Sequence, residues 1–124
     1  MDVKKLVEEM NDMILNGKAL EAFEKFYADD VIMQENQEDP RKGKQSNREF
    51  EKQFMENIKE FHGAEVKSVS IGKCGKTGND LTSVEWEMDI SFKDGNRVKT
   101  KQVAVQRWDD DGKIVMENFY YNKG

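Results

Sequence analysis

The sequence predicts an α+β domain in which three N-terminal helices pack against one face of a mostly antiparallel sheet. Two observations carry this. Apolar residues recur at helical spacing through roughly the first sixty residues, and from Ala64 onward the period changes to two. Asp-Gly pairs, Asp94-Gly95 and Asp111-Gly112, then break the second part into a meander. Helices first and strands after place the helices on one side of the sheet. A sheet that curls around them encloses a conical cavity.

The first helix begins after Asp2, a competent N-cap, and runs with Val3, Leu6, Val7, Met10, Met13 and Ile14 on one stripe until Asn16-Gly17. The second carries Leu20, Phe23, Phe26 and Tyr27 and is expected to end at Asp29-Asp30, closing a helical hairpin. A short strand over residues 31–35 follows, then a polar loop from Asn36 to Lys44 that holds Pro40. Ser46 and Glu49 have capping-box spacing for a third helix, with Phe50, Phe54, Ile58 and Phe61 as its stripe and His62-Gly63 as its close. Four strands are expected after it: Glu65 to Lys73, Val84 to Phe92, 97–108 and 113–121. In the second of these, Trp86, Met88 and Ile90 should face the helices while Glu85, Glu87 and Asp89 face solvent. A slip by one residue would bury three acids.

The composition bounds the function. A chain of 124 residues is one domain, and twelve aromatics with clear periodicity supply a core despite a charged fraction of 36%. A net charge of −5 argues against nonspecific nucleic-acid binding and against anionic membranes. The basic cluster Arg41, Lys42, Lys44 and Arg48 is expected to be a solvated loop offset by Glu38, Asp39 and Glu49. No apolar run approaches a membrane span and the N-terminus reads as a helix, so the cytoplasm is the expected compartment. A single cysteine excludes an intramolecular disulfide, and Cys74 is expected to be an ordinary thiol. No metal and no cofactor are expected; Asp109-Asp110-Asp111-Gly112 lacks calcium-loop spacing and reads as a hairpin turn.

Candidate chemistry centres on carboxylates. Val31, Met33 and Glu35 share one strand face, so Glu35 stands on the apolar side. An acid there needs a partner or a raised pKa. It is read either as a general base or as a structural carboxylate bonded to backbone or to a nearby basic side chain. On the strand 97–108, Gln102, Ala104, Gln106 and Trp108 form one parity and Val103 and Val105 the other, and which of them faces inward is open. The lone histidine, His62, is read as exposed at a helix C-terminus.

The order and wording of these elements resemble the SnoaL-like branch of the nuclear transport factor 2-like superfamily. The matching text is Asn16-Gly17, Phe26-Tyr27-Ala28-Asp29-Asp30-Val31, Pro40 with Gly43, and Trp108-Asp109-Asp110-Asp111-Gly112-Lys113-Ile114-Val115. The resemblance implies a cystatin-like cone and a homodimer through the outer sheet face. Its fold hosts isomerases, cyclases, hydrolases, dehydratases and binders. By the same resemblance Val115, Glu117, Phe119 and Tyr121 line the cavity, so Glu117 becomes a second catalytic candidate opposite Glu35. Met10, Met33, Phe54, Trp86, Met88, Gln102, Gln106, Trp108, Phe119 and Tyr121 are the expected pocket residues. Ketosteroid isomerases place a general base at the position of Glu35, but their tyrosine and protonated aspartate fall near Met10 and Ala104 here. Steroid isomerisation is therefore not implied. The expected ligand is small, apolar or amphipathic, bearing a carbonyl or hydroxyl. Cofactor-independent proton transfer, ligand binding without turnover, and protein interaction are the open functions.

Overall fold

In the computed structural model, which describes residues 1–122, the elements are α1 (Val3–Leu15), α2 (Ala19–Phe26), β1 (Tyr27–Glu35), β2 (Arg41–Lys42), α3 (Lys44–Glu56), β3 (Ile58–Lys73), β4 (Asp80–Phe92), β5 (Arg97–Trp108) and β6 (Ile114–Tyr121). The strands form one sheet in the order β2-β1-β6-β5-β4-β3, antiparallel except where β1 runs parallel to β6. Helices packed on one face of an open, mostly antiparallel sheet make this an α+β fold, as the sequence predicts. No helix of the described residues is long and apolar enough to cross a membrane.

Helix α1 starts as expected: the Asp2 carboxylate accepts the Lys5 amide at 3.3 Å. Its stripe buries Val3, Val7 and Met10 against Phe23, Phe26, Trp86 and Trp108, each such side chain contributing about 1.5–3 kcal/mol of burial. Gly17, at φ +78°, turns the chain where a side chain would be strained.

Several boundaries differ from expectation; β4 starts at Asp80 rather than Val84, and the expected polar loop holds β2. The second helix ends at Phe26, and Asp29-Asp30 lie inside β1 rather than after a helix. Tyr27 turns extended (φ −104°, ψ 136°) and pairs with Ile114, so sheet pairing overrides the helical stripe it seemed to join. Helix α3 begins after Gly43, not Ser46; the Ser46 hydroxyl donates back to the Lys42 carbonyl at 2.8 Å instead of capping. The same helix ends at Glu56, and Ile58, Phe61 and His62 belong to β3. Register shifts at 58–60, 61–63 and 66–68 break the alternation of β3, which bends the sheet and hides the strand's period.

On β4, Trp86 and Ile90 are buried and Met88 half-buried toward the helices. Glu85, Glu87 and Asp89 point outward, where Arg97 pairs with Asp89 at 2.8 Å and Lys101 with Glu87 at 3.8 Å. That register is the expected one. The inward parity of β5 is also resolved: Ala104, Gln106 and Trp108 are buried and Val103 is exposed. On β6 a shift beside Trp108 pairs that residue with Ile114, so Ile114 takes the inward place expected of Val115. Within the basic cluster Arg41 pairs with Glu35, Arg48 (2.6 Å) and Lys44 (3.8 Å) reach Glu24, and the expected Glu49 charge also acts on Arg48.

Candidate functional site

Strand register builds the site in rows. Met33 of β1, Glu117 of β6, Gln106 of β5 and Thr82 of β4 stand side by side on the inward face. Glu35, Phe119, Ala104 and Val84 form the next row, and Tyr121, Gln102 and Trp86 the one beyond. Three strands thus bring polar side chains into one layer beneath the helices.

That layer is a hydrogen-bonded chain with a fixed direction. The Trp108 indole donates to the Thr82 hydroxyl at 2.9 Å, and this hydroxyl donates to Gln106 Oε1 at 2.6 Å. Gln106 Nε2 then donates to Glu117 Oε2 at 2.7 Å, and Tyr27 Oη bonds Glu117 Oε1. An indole can only donate, so Thr82 must spend its hydrogen on Gln106, and the amide must turn its NH₂ toward Glu117. All four sheet residues are at most 2% exposed. Glu117 Oε2 is therefore always an acceptor, and a proton on Glu117 resides on Oε1, facing Tyr27.

The electrostatics set that proton's affinity. Burial pushes the Glu117 carboxyl up to about 7, against the downward pull of its bonds from Gln106 and Tyr27; the charges of Glu51 and Glu35 add to the rise. Tyr27 is raised well above its ordinary value by burial first and by the Glu117 charge second. Glu51, on α3, is also pushed to about 7, by burial with the Glu35 charge adding and Arg41 opposing. Two carboxyls poised near neutrality can exchange protons with a molecule that reaches them.

Glu35 does not stand alone on the apolar side. Arg41 of β2 grips it with both terminal guanidinium nitrogens, the second at 3.2 Å, so the ionised carboxylate has a partner. Arg41 Nε donates to Asn47 Oδ1 at 3.1 Å, and the guanidinium lies 3.6 Å from the Phe50 ring centroid. Asn47 is fully buried and donates to the carbonyls of Gly43 (2.8 Å) and Arg41 (3.0 Å). Its two ends tie α3 to β1 and β2. Of the two readings open for Glu35, the geometry shows a carboxylate bonded to a nearby basic side chain.

The remaining expected pocket residues separate by depth. Met10, Met33 and Trp86 are core; Met88, Gln102, Phe119 and Tyr121 are half-buried on the inward face. Phe54 is 38% exposed and edge-on to Phe92. Sequence patterning did not single out Tyr27, Glu51, Thr82 or Arg41. Tyr27 was absorbed into a helical stripe. Glu51 had one available signal, its place one turn after Asn47 on the same helix face. Two surface grooves along α1, one lined by Lys5, Glu8 and Asp12 and one by Leu6, Phe26 and Lys113, hold none of these groups.

Two further expectations change. His62 sits in β3 rather than at a helix end, with Nε2 2.7 Å from the Ser91 hydroxyl, so no helix dipole acts on it. The Cys74 thiol, expected to be ordinary, is lowered to about 6, chiefly by the Thr77 side chain and then by the amides of Thr77 and Lys76. Among the described residues no group of three or more His, Cys, Asp or Glu is placed to hold a metal ion.

The SnoaL-like domain model matches residues 1–121. Among solved structures, a provisionally assigned SnoaL-like polyketide cyclase from Mesorhizobium loti is 26% identical, with a TM-score of 0.73 over 98% of this chain and 100% of that one. SalBIII, an epoxide hydrolase/cyclase-like enzyme with a role in pyran ring formation in the polyether salinomycin, is 20% identical (TM-score 0.77; 98% and 91% covered). A provisionally assigned isomerase from Bacillus subtilis is 14% identical (TM-score 0.74; 98% and 90% covered). The last two share the fold alone. No curated protein matches the chain.

Proposed function

The chain belongs to the SnoaL-like domain family, and from that premise we propose that it carries out cofactor-independent proton transfer on a small, mostly apolar molecule bearing a carbonyl or hydroxyl. The observation that carries this is the one-way chain ending at Glu117. It directs the exchangeable proton to Oε1, beside the Tyr27 hydroxyl. When Glu117 is protonated it donates to Tyr27 Oη, and the phenolic hydrogen is free to turn toward a ligand oxygen. When Glu117 is ionised, Tyr27 donates back to it. The pair can thus stabilise a developing oxyanion in one state and accept a proton in the other.

In this reading Glu117 takes the role first expected of Glu35. Glu35, held by Arg41, supplies the negative charge that helps keep its neighbours protonated. Isomerase and cyclase chemistry both fit, and the similar structures include proteins so described. A second reading, binding without turnover, draws on the fact that both Glu117 oxygens already have partners.

Deuterium uptake separates the two. Apolar ketones incubated with the protein in D₂O should exchange hydrogens beside the carbonyl, with a rate that changes through an ionisation at about pH 7. Exchange no faster than in buffer, with ligand-induced stabilisation present, would leave binding alone.

A further inference from the structure

The outer face of the sheet, away from the helices, carries a second group of side chains with chemistry of its own. Ser91 continues the outward parity of Glu85, Glu87 and Asp89 on β4. It pairs with Glu60 of β3 on one side and with Arg97 of β5 on the other. The register shift between Phe61 and Gly63 falls at His62, whose Nε2 lies 2.7 Å from the Ser91 hydroxyl. Its Nδ1 lies 3.6 Å from the Glu60 carboxylate. A hydroxyl and a carboxylate thus stand at opposite nitrogens of one imidazole.

The carboxylate selects the nitrogen that holds the hydrogen. A neutral imidazole has one N–H, and the charge of Glu60 favours it on Nδ1. Nε2 is then bare and accepts the Ser91 hydrogen, the arrangement that activates a hydroxyl as a nucleophile. Arg97 holds Asp89 through Nε at 2.9 Å and Nη2 at 2.8 Å, which leaves Nη1 for another acceptor. Residues directly opposite on adjacent strands have Cβ atoms about 4.5–5.5 Å apart, so a guanidinium on Arg97 is within reach of an oxygen held over Ser91. Gly63, beside His62, adds no side chain, and a Cβ there would meet nothing within 4 Å. The group is open to a small molecule from solvent.

We propose that Ser91, His62 and Glu60 form a separate acyl-transfer site on the outer sheet face, which takes small activated esters. Ser91 Oγ attacks the acyl carbon as its hydrogen passes to His62 Nε2, and the carbonyl oxygen becomes an oxyanion facing Arg97. The intermediate collapses, the alcohol leaves with the hydrogen from Nε2, and the acyl group stays on Ser91. Water then attacks the acyl carbon; Nε2 takes one of its hydrogens and returns it to Oγ as the free acid departs. Ser91 and His62 are the catalytic residues, and Glu60 is a positioning residue acting through the imidazole. The site shares no residue with the chain that ends at Glu117 and stands independently of it.

The probe is p-nitrophenyl acetate. The protein should release p-nitrophenolate faster than buffer does, and mass spectrometry of quenched digests should place an acetyl group on Ser91. Ser91→Ala should remove that adduct. His62→Ala should slow acetylation of Ser91 by about 10²-fold or more. Added imidazole should restore part of the rate in that variant, which a merely structural histidine would not allow. Glu60→Gln should slow the same step, and Glu60→Asp, which keeps the charge, should recover part of it. Glu60 and His62 are exposed, so these variants should unfold at the wild-type temperature. Acetyl groups on lysines alone, or on Ser91 at an equal rate in wild type and His62→Ala, would overturn the proposal.

Discussion

Glu117→Gln should lower turnover by about 10²–10⁴-fold while leaving the protein as stable as wild type, or more stable, above neutral pH. The two effects have one cause. The Glu117 carboxyl is raised to about 7 from an ordinary 4.5, so the folded state holds a proton that the unfolded chain releases. Its contribution is fully present below about pH 4.5 and is lost as pH rises through about 7, costing on the order of 3 kcal/mol. An amide in its place carries no charge at any pH. Its oxygen can accept from Gln106 and its nitrogen can donate to Tyr27, so both bonds persist. Thermal unfolding of both forms across about pH 5–8 should therefore show a wild type that weakens with pH and a variant that stays flatter. A clear loss of stability in the variant at about pH 8 would mean that the ionised carboxylate is the required form, which defeats the proton-carrier role.

Asn47→Ala should destabilise the fold by about 3–5 kcal/mol, a large part of the 5–15 kcal/mol typical of a domain. The side chain is fully buried, and its removal takes a donor from the Arg41 carbonyl and the acceptor from the Arg41 Nε, while the Gly43 carbonyl keeps the residue's own backbone amide. A cavity is left behind as well. Because Arg41 then loses the bond that orients it, its grip on Glu35 should loosen, and the charge balance beside Glu51 and Glu117 should change with it. Urea unfolding measures the loss. A change below about 1 kcal/mol would show that α3 is held to β1 and β2 by its apolar contacts alone.

The parts of this molecule that follow simple periods were legible in the sequence. Trp86, Met88 and Ile90 alternate with acids, and the strand they form has the expected register. Asp2 caps its helix, and Gly17 turns the chain. The misread segments are those where two periods overlap. Phe61 stood at helical spacing from Phe54, but three bulges in β3 had scrambled the strand's own alternation. Tyr27 looked like the last turn of a helix because the extended chain begins there without a break.

For the site, the inward placement of Glu117 was anticipated, that of Gln106 and Trp108 was left open between two parities of their strand, and their joining into one chain was not foreseen. Thr82, which links two of them, is a residue whose importance arises only from pairing across β4 and β5. Glu35 was located correctly on its strand face, but its partner Arg41 lies across a loop on β2, and no local pattern specifies that contact. Glu51 was hidden by its neighbours Phe50 and Phe54, which mark the apolar stripe more strongly than the buried face that Asn47 defines.

Carbon-13 NMR titration of the glutamate side chains, with the Glu117 resonance identified by its absence in Glu117→Gln, tests the central claim most directly. A Glu117 carboxyl that ionises with a midpoint near 7 is the result predicted from its burial between Gln106 and Tyr27. A midpoint below about 5, within the ordinary carboxyl range, would contradict it.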